Sequence, residues 1–267
     1  MGENMLKQKY GPWAVITGGS EGVGASVARK LAGEGINVVL IARKPQALEE
    51  TARSIRDQFG VEVRTGSIDL ADYNAIDQAR ALTDDIEVGM LFYNAGANKI
   101  RGNFIELEKS AYRDLIGVNV INQADFVHHF GALMQRRGRG GIVTTGSTAS
   151  YLGSVTLATY AGVKAFSRLW TEAVWAECKP MGIDVLHLVI NFTATPYMAR
   201  AGYDISAAQN PDEVAEEAFA ALGKEPVHIM GGEAALEMMK RRNGIENRGE
   251  LIHTIATPRR EDGPRAK

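Results

Sequence analysis

The sequence predicts a single α/β domain of the Rossmann type, with a doubly wound, mostly parallel seven-stranded sheet and helices on both faces. Two observations indicate this architecture. Short apolar runs typical of buried strands alternate along the chain with segments of helical periodicity. A glycine-rich stretch at residues 17–24 also lies directly between the first predicted strand, residues 13–16, and the first predicted helix. We assign residues 1–250 to this domain and expect residues 251–267 to form a polar, disordered tail.

Composition excludes several classes of partner. The 267 residues carry a net charge of −2, so the chain lacks the excess of positive charge that binds nucleic acid or an anionic membrane. No apolar run approaches the ~18 residues needed to span a bilayer, and residues 1–6 lack the apolar core of a signal peptide. Cys178 is the single cysteine, so no intrachain disulfide can form. We therefore expect a cytoplasmic protein that binds neither nucleic acid nor membrane.

The glycine-rich stretch is the predicted site of a dinucleotide. Glycines let the backbone turn tightly and approach a pyrophosphate, which rests on the N-terminus of the following helix. A strand before the loop and a helix after it make this interpretation much stronger than the glycines alone. The predicted contacts of the loop are Gly18, Ser20, Glu21, Gly22, Val23 and Gly24.

A second group of residues suggests acid–base chemistry. Ser147 follows a predicted strand at residues 141–145, and Tyr160 and Lys164 lie four apart on a predicted helix, so they share one face. A free phenol titrates near ~10, and an adjacent ammonium lowers that pKa, so Tyr160 could act as a general acid or base. Ser147 could donate a hydrogen bond to an oxygen that gains negative charge. Taken alone, Tyr-x-x-x-Lys is more often an ordinary helix pair.

The chain resembles the short-chain dehydrogenase/reductase family over roughly residues 10–230. Besides the T-G-x-x-x-G-x-G spacing of the glycine loop, the resemblance rests on a serine thirteen residues before the Tyr-x-x-x-Lys, on an Asn-Ala-Gly and on an upstream Asn. It implies reversible hydride transfer between a nicotinamide and a carbonyl or secondary alcohol. Tyr160 would protonate the oxygen that Ser147 holds, and Lys164 would also bind the nicotinamide ribose. Asn119 would bind a water that links Lys164 to solvent.

The resemblance also assigns contacts on the adenosine side of the cofactor. The Asn-Ala-Gly segment, residues Asn94, Ala95 and Gly96, would line this side. Asp69, followed by Leu70, would accept a hydrogen bond from the adenine amino group. The alternative is that Asp69, or better Asp72, caps the helix expected from about residue 73.

The nicotinamide side departs from the family pattern. Relatives usually carry Pro-Gly followed by a Thr that contacts the nicotinamide, whereas this chain has Asn191-Phe192. Thr193 or Thr195 could therefore hold that role. We expect residues 193–210 to form a substrate lid.

Arg43 indicates the cofactor. It follows a predicted strand at residues 37–42, where an acidic residue would favour NAD and an arginine accommodates a 2′-phosphate. The sequence thus predicts NADP(H), with NAD(H) as the alternative if Arg43 only begins a solvated loop. Glu21 weakens the prediction slightly, because some NADPH-binding relatives carry a basic residue there.

The predicted activity is that of an NADPH-dependent carbonyl reductase or alcohol dehydrogenase that acts on a ketone or secondary alcohol. The apolar side chains of the lid would accommodate a bulky, hydrophobic substrate. The alternatives are an NAD-dependent alcohol dehydrogenase working oxidatively, a non-catalytic dinucleotide sensor and a nucleotide-sugar dehydratase or epimerase. The resemblance implies a homodimer or homotetramer. No metal site is expected, since His128 and His129 are adjacent and face different directions.

Overall fold

The computed structural model describes residues 5–96 and 100–254. Within these ranges seven strands form one sheet in the order β3-β2-β1-β4-β5-β6-β7, and every neighbouring pair is parallel. The strands are β1 Trp13–Thr17, β2 Asn37–Ala42, β3 Val63–Ser67, β4 Val88–Tyr93, β5 Gly140–Ser147, β6 Ile183–Ile190 and β7 Val227–Ile229. The predicted fold is confirmed, and the sheet is wholly rather than mostly parallel.

Helices lie on both faces of the sheet. They are α1 Met5–Tyr10, α2 Gly22–Gly33, α3 Pro45–Phe59, α4 Ala75–Thr83, α5 Lys109–Ile116, α6 Asn122–Arg137, α7 Ala158–Cys178, α8 Pro196–Arg200, α9 Pro211–Ala221, α10 Gly232–Asn243 and α11 Arg248–Thr254. In the described part of the chain, none of them is long and apolar enough to cross a bilayer.

Two buried clusters explain this layering. Successive strand side chains point to opposite faces, so Ile16 packs with Leu31 of α2 and Phe219 of α9, while Val15 packs with Phe126 and Phe130 of α6. Both clusters consist of fully or nearly fully buried side chains. The central strands are therefore apolar throughout, as expected of a parallel sheet covered on both sides.

The strand order reverses between β1 and β4. Thr17 and Tyr93 pair at the carboxyl ends of these two strands, where the chain leaves the sheet to opposite sides. Open α/β sheets bind ligands in the crevice at such a switch point. The glycine loop follows β1 and Asn94-Ala95-Gly96 follows β4, so both predicted cofactor segments lie at this crevice.

The structure differs from the sequence-based boundaries in three places. The apolar pattern at residues 61–64 predicts the third strand there, whereas the strand occupies Val63–Ser67. Helical periodicity predicts one helix from about residue 111 to 137, whereas a π-helical turn at Gly117–Ile121 divides it. Residues 251–254 belong to α11 rather than to a tail, and the remainder of the predicted tail, residues 255–267, lies outside the described residues.

Candidate active site

Ser147 and Tyr160 meet where β5 ends and α7 begins. The Oγ of Ser147 accepts a hydrogen bond from the backbone N–H of Ala149 at 3.2 Å, which fixes the hydroxyl and leaves its proton for another acceptor. Burial raises the pKa of Tyr160 above its usual range, while a hydrogen bond with Ser147 and the positive charge of Arg101 act in the opposite direction. The phenol is therefore protonated at neutral pH in this structure, as a proton donor must be.

Lys164 lies beneath this pair. Only 3% of it is exposed, its Nζ donates to the carbonyl oxygen of Thr145 at 3.0 Å, and the Nζ lies 5.8 Å from the centre of the Tyr160 ring. Burial lowers the pKa of Lys164 to about 8. Burial outweighs the hydrogen bond with Ser147 and the charge of Arg101, so the pKa of Tyr160 lies above its usual value in this structure. The lowering of this pKa by Lys164 stays a prediction.

Asn119 lies in the π-helical turn between α5 and α6. Its side chain is 1% exposed, and its Nδ2 donates to the carbonyl oxygen of Leu115 at 3.0 Å. Its Oδ1 has no hydrogen-bond partner among the described residues. A Cβ added at Gly96 would lie 2.2 Å from this Oδ1 and 3.0 Å from the Nζ of Lys164. The structure thus brings Gly96, Asn119 and Lys164 together around an unpartnered buried oxygen, where a water would satisfy it.

Two glycines of the loop are required by close packing within the protein itself. Gly18 has φ +70°, and a Cβ there would lie 2.8 Å from the Nδ2 of Asn94; a Cβ at Gly24 would lie 2.2 Å from the carbonyl oxygen of Gly18. The hydroxyl of Thr17 accepts hydrogen bonds from the backbone N–H groups of Asn94 and Ala95, at 3.0 and 3.1 Å, and so ties the two cofactor segments together.

The N-terminus of α2 fits a pyrophosphate. No side chain caps its first N–H groups, and its first turn contains no acidic residue. These orphan donors and the helix dipole favour an anion at this position. With Ser20 and Val23 completing the loop, the residues present fit a dinucleotide cofactor.

Arg43 and Asp69 face each other on the adenosine side. An Nη1–Oδ2 distance of 3.9 Å separates them, and about half of each side chain is exposed. The Oδ1 of Asp69 accepts from the N–H of Ala71 at 3.0 Å, next to the buried Leu70. The N-cap residue of α4 is Asn74, so neither Asp69 nor Asp72 occupies that position.

On the nicotinamide side, Thr195 rather than Thr193 faces the glycine loop. Thr193 is 5% exposed and its hydroxyl donates to the carbonyl oxygen of Asn191. Thr195 is the N-cap residue of α8. Its methyl carbon would lie only 2.8 Å from a Cβ added at Gly22. Phe192, in the departure from Pro-Gly, packs edge-to-face against Tyr203 at 5.8 Å and so closes the base of the lid.

The burial of His187 on β6, close to the site, was not predicted from the sequence. His187 is fully buried, its Nδ1 is 2.8 Å from the Oγ1 of Thr144, and a Cβ on Gly146 would lie 2.1 Å from its Nε2. Burial, followed by the charges of Lys164 and Arg168, lowers its pKa to about 3. The sequence does contain a signal for this residue, since His187 is a polar side chain in the middle of an apolar strand. A side chain buried there must be neutral and hydrogen-bonded.

Comparison with known proteins identifies the family. A sequence model described as short chain dehydrogenase matches residues 12–206. The chain belongs to the short-chain dehydrogenase/reductase family. It is similar to a 7beta-hydroxysteroid dehydrogenase from Clostridium sardiniense, with 32% identity over 251 residues that cover 92% of this chain and 95% of that protein.

Solved structures of family members agree in fold. A structure of a 7beta-hydroxysteroid dehydrogenase, solved to explain its stereoselectivity, superposes with a TM-score of 0.85 at 29% identity and covers 93% of this chain and 98% of its own. A short-chain dehydrogenase from Sphingobium yanoikuyae in complex with NADPH has a TM-score of 0.77 at 26% identity and covers 95% and 100%. The chain is thus an oxidoreductase of hydroxyl and carbonyl groups in a family that uses nicotinamide dinucleotides.

Proposed function

We propose that this member of the family is an NADPH-dependent carbonyl reductase and alcohol dehydrogenase that acts on a bulky, hydrophobic ketone or secondary alcohol of the hydroxysteroid kind. The observation that carries the cofactor choice is Arg43 at the carboxyl end of β2. The substrate class is supported by the similarity to a hydroxysteroid dehydrogenase along 92% of the chain.

The charge around Arg43 favours a 2′-phosphate. At 3.9 Å its contact with Asp69 is longer than a hydrogen bond, so guanidinium donors can turn to a phosphate while Asp69 accepts from the adenine amino group. An NAD site would place an acidic residue at the end of β2 to bind the ribose hydroxyls. The relative from Sphingobium yanoikuyae, which binds NADPH, supports the same choice.

Each residue of the site has a separate role in the proposed reaction. When bound, the nicotinamide supplies a hydride to the carbonyl carbon or takes one from the alcohol. Ser147 turns its hydroxyl proton from Tyr160 to the substrate oxygen and donates a hydrogen bond to it. Tyr160 gives its phenolic proton to that oxygen in reduction and receives it back in oxidation. Lys164, held by Thr145, binds the nicotinamide ribose, and Asn119 holds the water through which the proton is replaced.

The lid supplies the apolar surface for a large substrate. Its side chains include the partly buried Tyr197, Met198 and Tyr203. Aromatic and thioether groups of this kind pack well against the irregular apolar surface of a ligand. A small, polar carbonyl compound would leave this surface in contact with water.

We also propose a homodimer or homotetramer built on α7. Phe166 and Leu169 are 38% and 58% exposed, and Phe166 stacks on Trp170 with ring centres 5.9 Å apart. A second copy packing on this face would bury an apolar stripe that a monomer leaves in water. Size-exclusion chromatography with light scattering, on wild type and a Leu169→Glu variant, tests this assembly.

The activity is tested by following NADPH and NADH consumption with ketosteroids, ketoacyl thioesters, simple ketones and aldehydes. The proposal predicts the highest kcat/KM for a ketosteroid with NADPH, and a much lower value with NADH. A preference for NADH would contradict the cofactor assignment. A preference for small aldehydes would contradict the substrate class.

A further inference from the structure

The substrate lid is closed at its base by backbone pairing. The N–H of Ala194 donates to the carbonyl oxygen of Gln209 at 2.8 Å, and the N–H of Gln209 donates to that of Phe192 at 3.0 Å. These bonds bring the two ends of the lid together beside the end of β6. Because the base is fixed, the lid can open only by moving the segment between residues 195 and 208, which contains α8.

At its far side, α8 is joined to the glycine loop. The Nη2 of Arg200 lies 2.6 and 2.8 Å from the two carboxylate oxygens of Glu21, a residue 179 positions earlier in the chain. Thr195, at the start of α8, packs against Gly22 in the same loop. Both ends of this short helix therefore rest on the loop that is expected to hold the cofactor pyrophosphate.

We propose that Glu21 and Arg200 form a latch that positions the lid over the cofactor, and that a dinucleotide can enter or leave only when this ion pair opens. The pair is partly exposed, at 32% for the Glu21 side chain and 52% for that of Arg200. Exposed pairs are weak and are screened by salt. A weak latch suits a lid that must open in every catalytic cycle to exchange cofactor.

The latch also accounts for an acidic residue in a loop that binds phosphates. A bare carboxylate at Glu21 would repel a pyrophosphate on the N-terminus of α2. The ion pair with Arg200 offsets the negative charge of Glu21, and the same ion pair holds the lid. NADPH and NADH share the pyrophosphate, so the latch would act with either cofactor and with any carbonyl substrate.

The test uses Glu21→Gln, Arg200→Gln and the double variant, with Arg80→Gln as a control that removes an arginine from ion pairs on the remote α4. Hydrogen exchange of the lid amides, residues 197–208, is measured in the cofactor-free full chain, and dissociation of NADPH is followed by stopped-flow fluorescence. Each single variant should raise the rate of lid exchange by roughly two- to fivefold, the range expected for one exposed pair. NADPH release is compared between wild type and the double variant, which removes both charges, and should rise by a similar factor.

Two further results distinguish a latch from independent effects of the two charges. In lid exchange, which is measured without cofactor, the double variant should match the single variants rather than multiply their effects, because one interaction is lost in all three. High salt should speed lid exchange in the wild type and leave the double variant unchanged. Lid exchange that is unaltered in Arg200→Gln, multiplicative single effects on lid exchange, or faster lid exchange in the double variant without faster NADPH release would each overturn the proposal. Because lid exchange needs no substrate, these outcomes are independent of the proposed activity.

Discussion

The Nζ of Lys164 and the Oδ1 of Asn119 converge beside Gly96, within 3.0 and 2.2 Å of the point where a Cβ on that glycine would lie. Lys164 is already bonded to Thr145, whereas this oxygen of Asn119 has no partner among the described residues. We propose that a water bound to this oxygen returns protons to Tyr160.

Filling that space should disable the relay. In Gly96→Ala the new methyl would displace Asn119 or Lys164, and an ångström-scale displacement of this kind lowers kcat by about 10²-fold. Steady-state kinetics of ketone reduction would measure the loss. Gly138→Ala is the matched control, because Gly138 also has a positive φ, +68°, but a Cβ there meets no atom within 4 Å. It should cost about 1 kcal/mol of stability and leave kcat unchanged.

Ser147→Ala should lower kcat by about 10²–10³-fold, because the substrate oxygen would lose its hydrogen-bond donor. It should also raise the pKa of Tyr160 further, since the bond with Ser147 now acts against burial. Alcohol oxidation needs the phenolate, so its rate rises with pH, and in the variant this rise should move to higher pH. Ser150→Ala is the control, as the Oγ of Ser150 is buried with no partner in the described part of the chain. An unshifted pH profile in Ser147→Ala would contradict the contact.

Arg43→Leu should raise the KM for NADPH by about 10- to 100-fold, the range for a lost hydrogen bond to a charged group. NADH lacks the 2′-phosphate and serves as the internal control, so its KM should stay the same. Parallel losses with both cofactors would mean that Arg43 has a structural role at the end of β2.

His187 should make the protein sensitive to acid. Its pKa is lowered from 6.5 to about 3 in the folded chain, so between these values the unfolded chain binds the proton and the folded chain does not. The free energy of unfolding therefore falls as pH falls below 6.5, by about 2 kcal/mol at pH 5. Urea unfolding from pH 7 to 5 would measure the slope.

His187→Asn retains a polar atom near Thr144 and should flatten that slope. His128→Asn, a change at an exposed histidine on α6, should keep the wild-type slope. Equal slopes in wild type and His187→Asn would show that other groups govern the acid response.

Strong local patterns predicted the fold and the placement of Tyr160 and Lys164 on one helix. A largely apolar run flanked by Gly182 and Asn191 predicts a strand over residues 183–190, and β6 has these bounds. Tyr160 and Lys164 share a helix face as expected, since that relation depends only on spacing. The third strand was misplaced because Thr65, Gly66 and Ser67 resemble a turn, whereas pairing with β2 keeps them extended at the sheet edge.

Features that depend on distant contacts were not predictable. The π-helical turn at Asn119 has the apolar periodicity of a continuous helix, so only the tertiary structure reveals it. The contact of Glu21 with Arg200 was not predictable either, because the two residues lie 179 positions apart and no local pattern relates them. The sign of the pKa shift of Tyr160 likewise follows from burial, which the sequence does not give.

The most direct test of the central claim compares the wild type with Tyr160→Phe in NADPH-dependent reduction of a ketosteroid, with NADPH binding measured in parallel. The variant keeps the ring and removes the phenolic proton. We predict wild-type turnover, a loss of at least about 10²-fold in kcat for the variant, and NADPH affinity equal in the two proteins. Comparable turnover in Tyr160→Phe would contradict the assignment of Tyr160 as the proton donor and, with it, the proposed reaction.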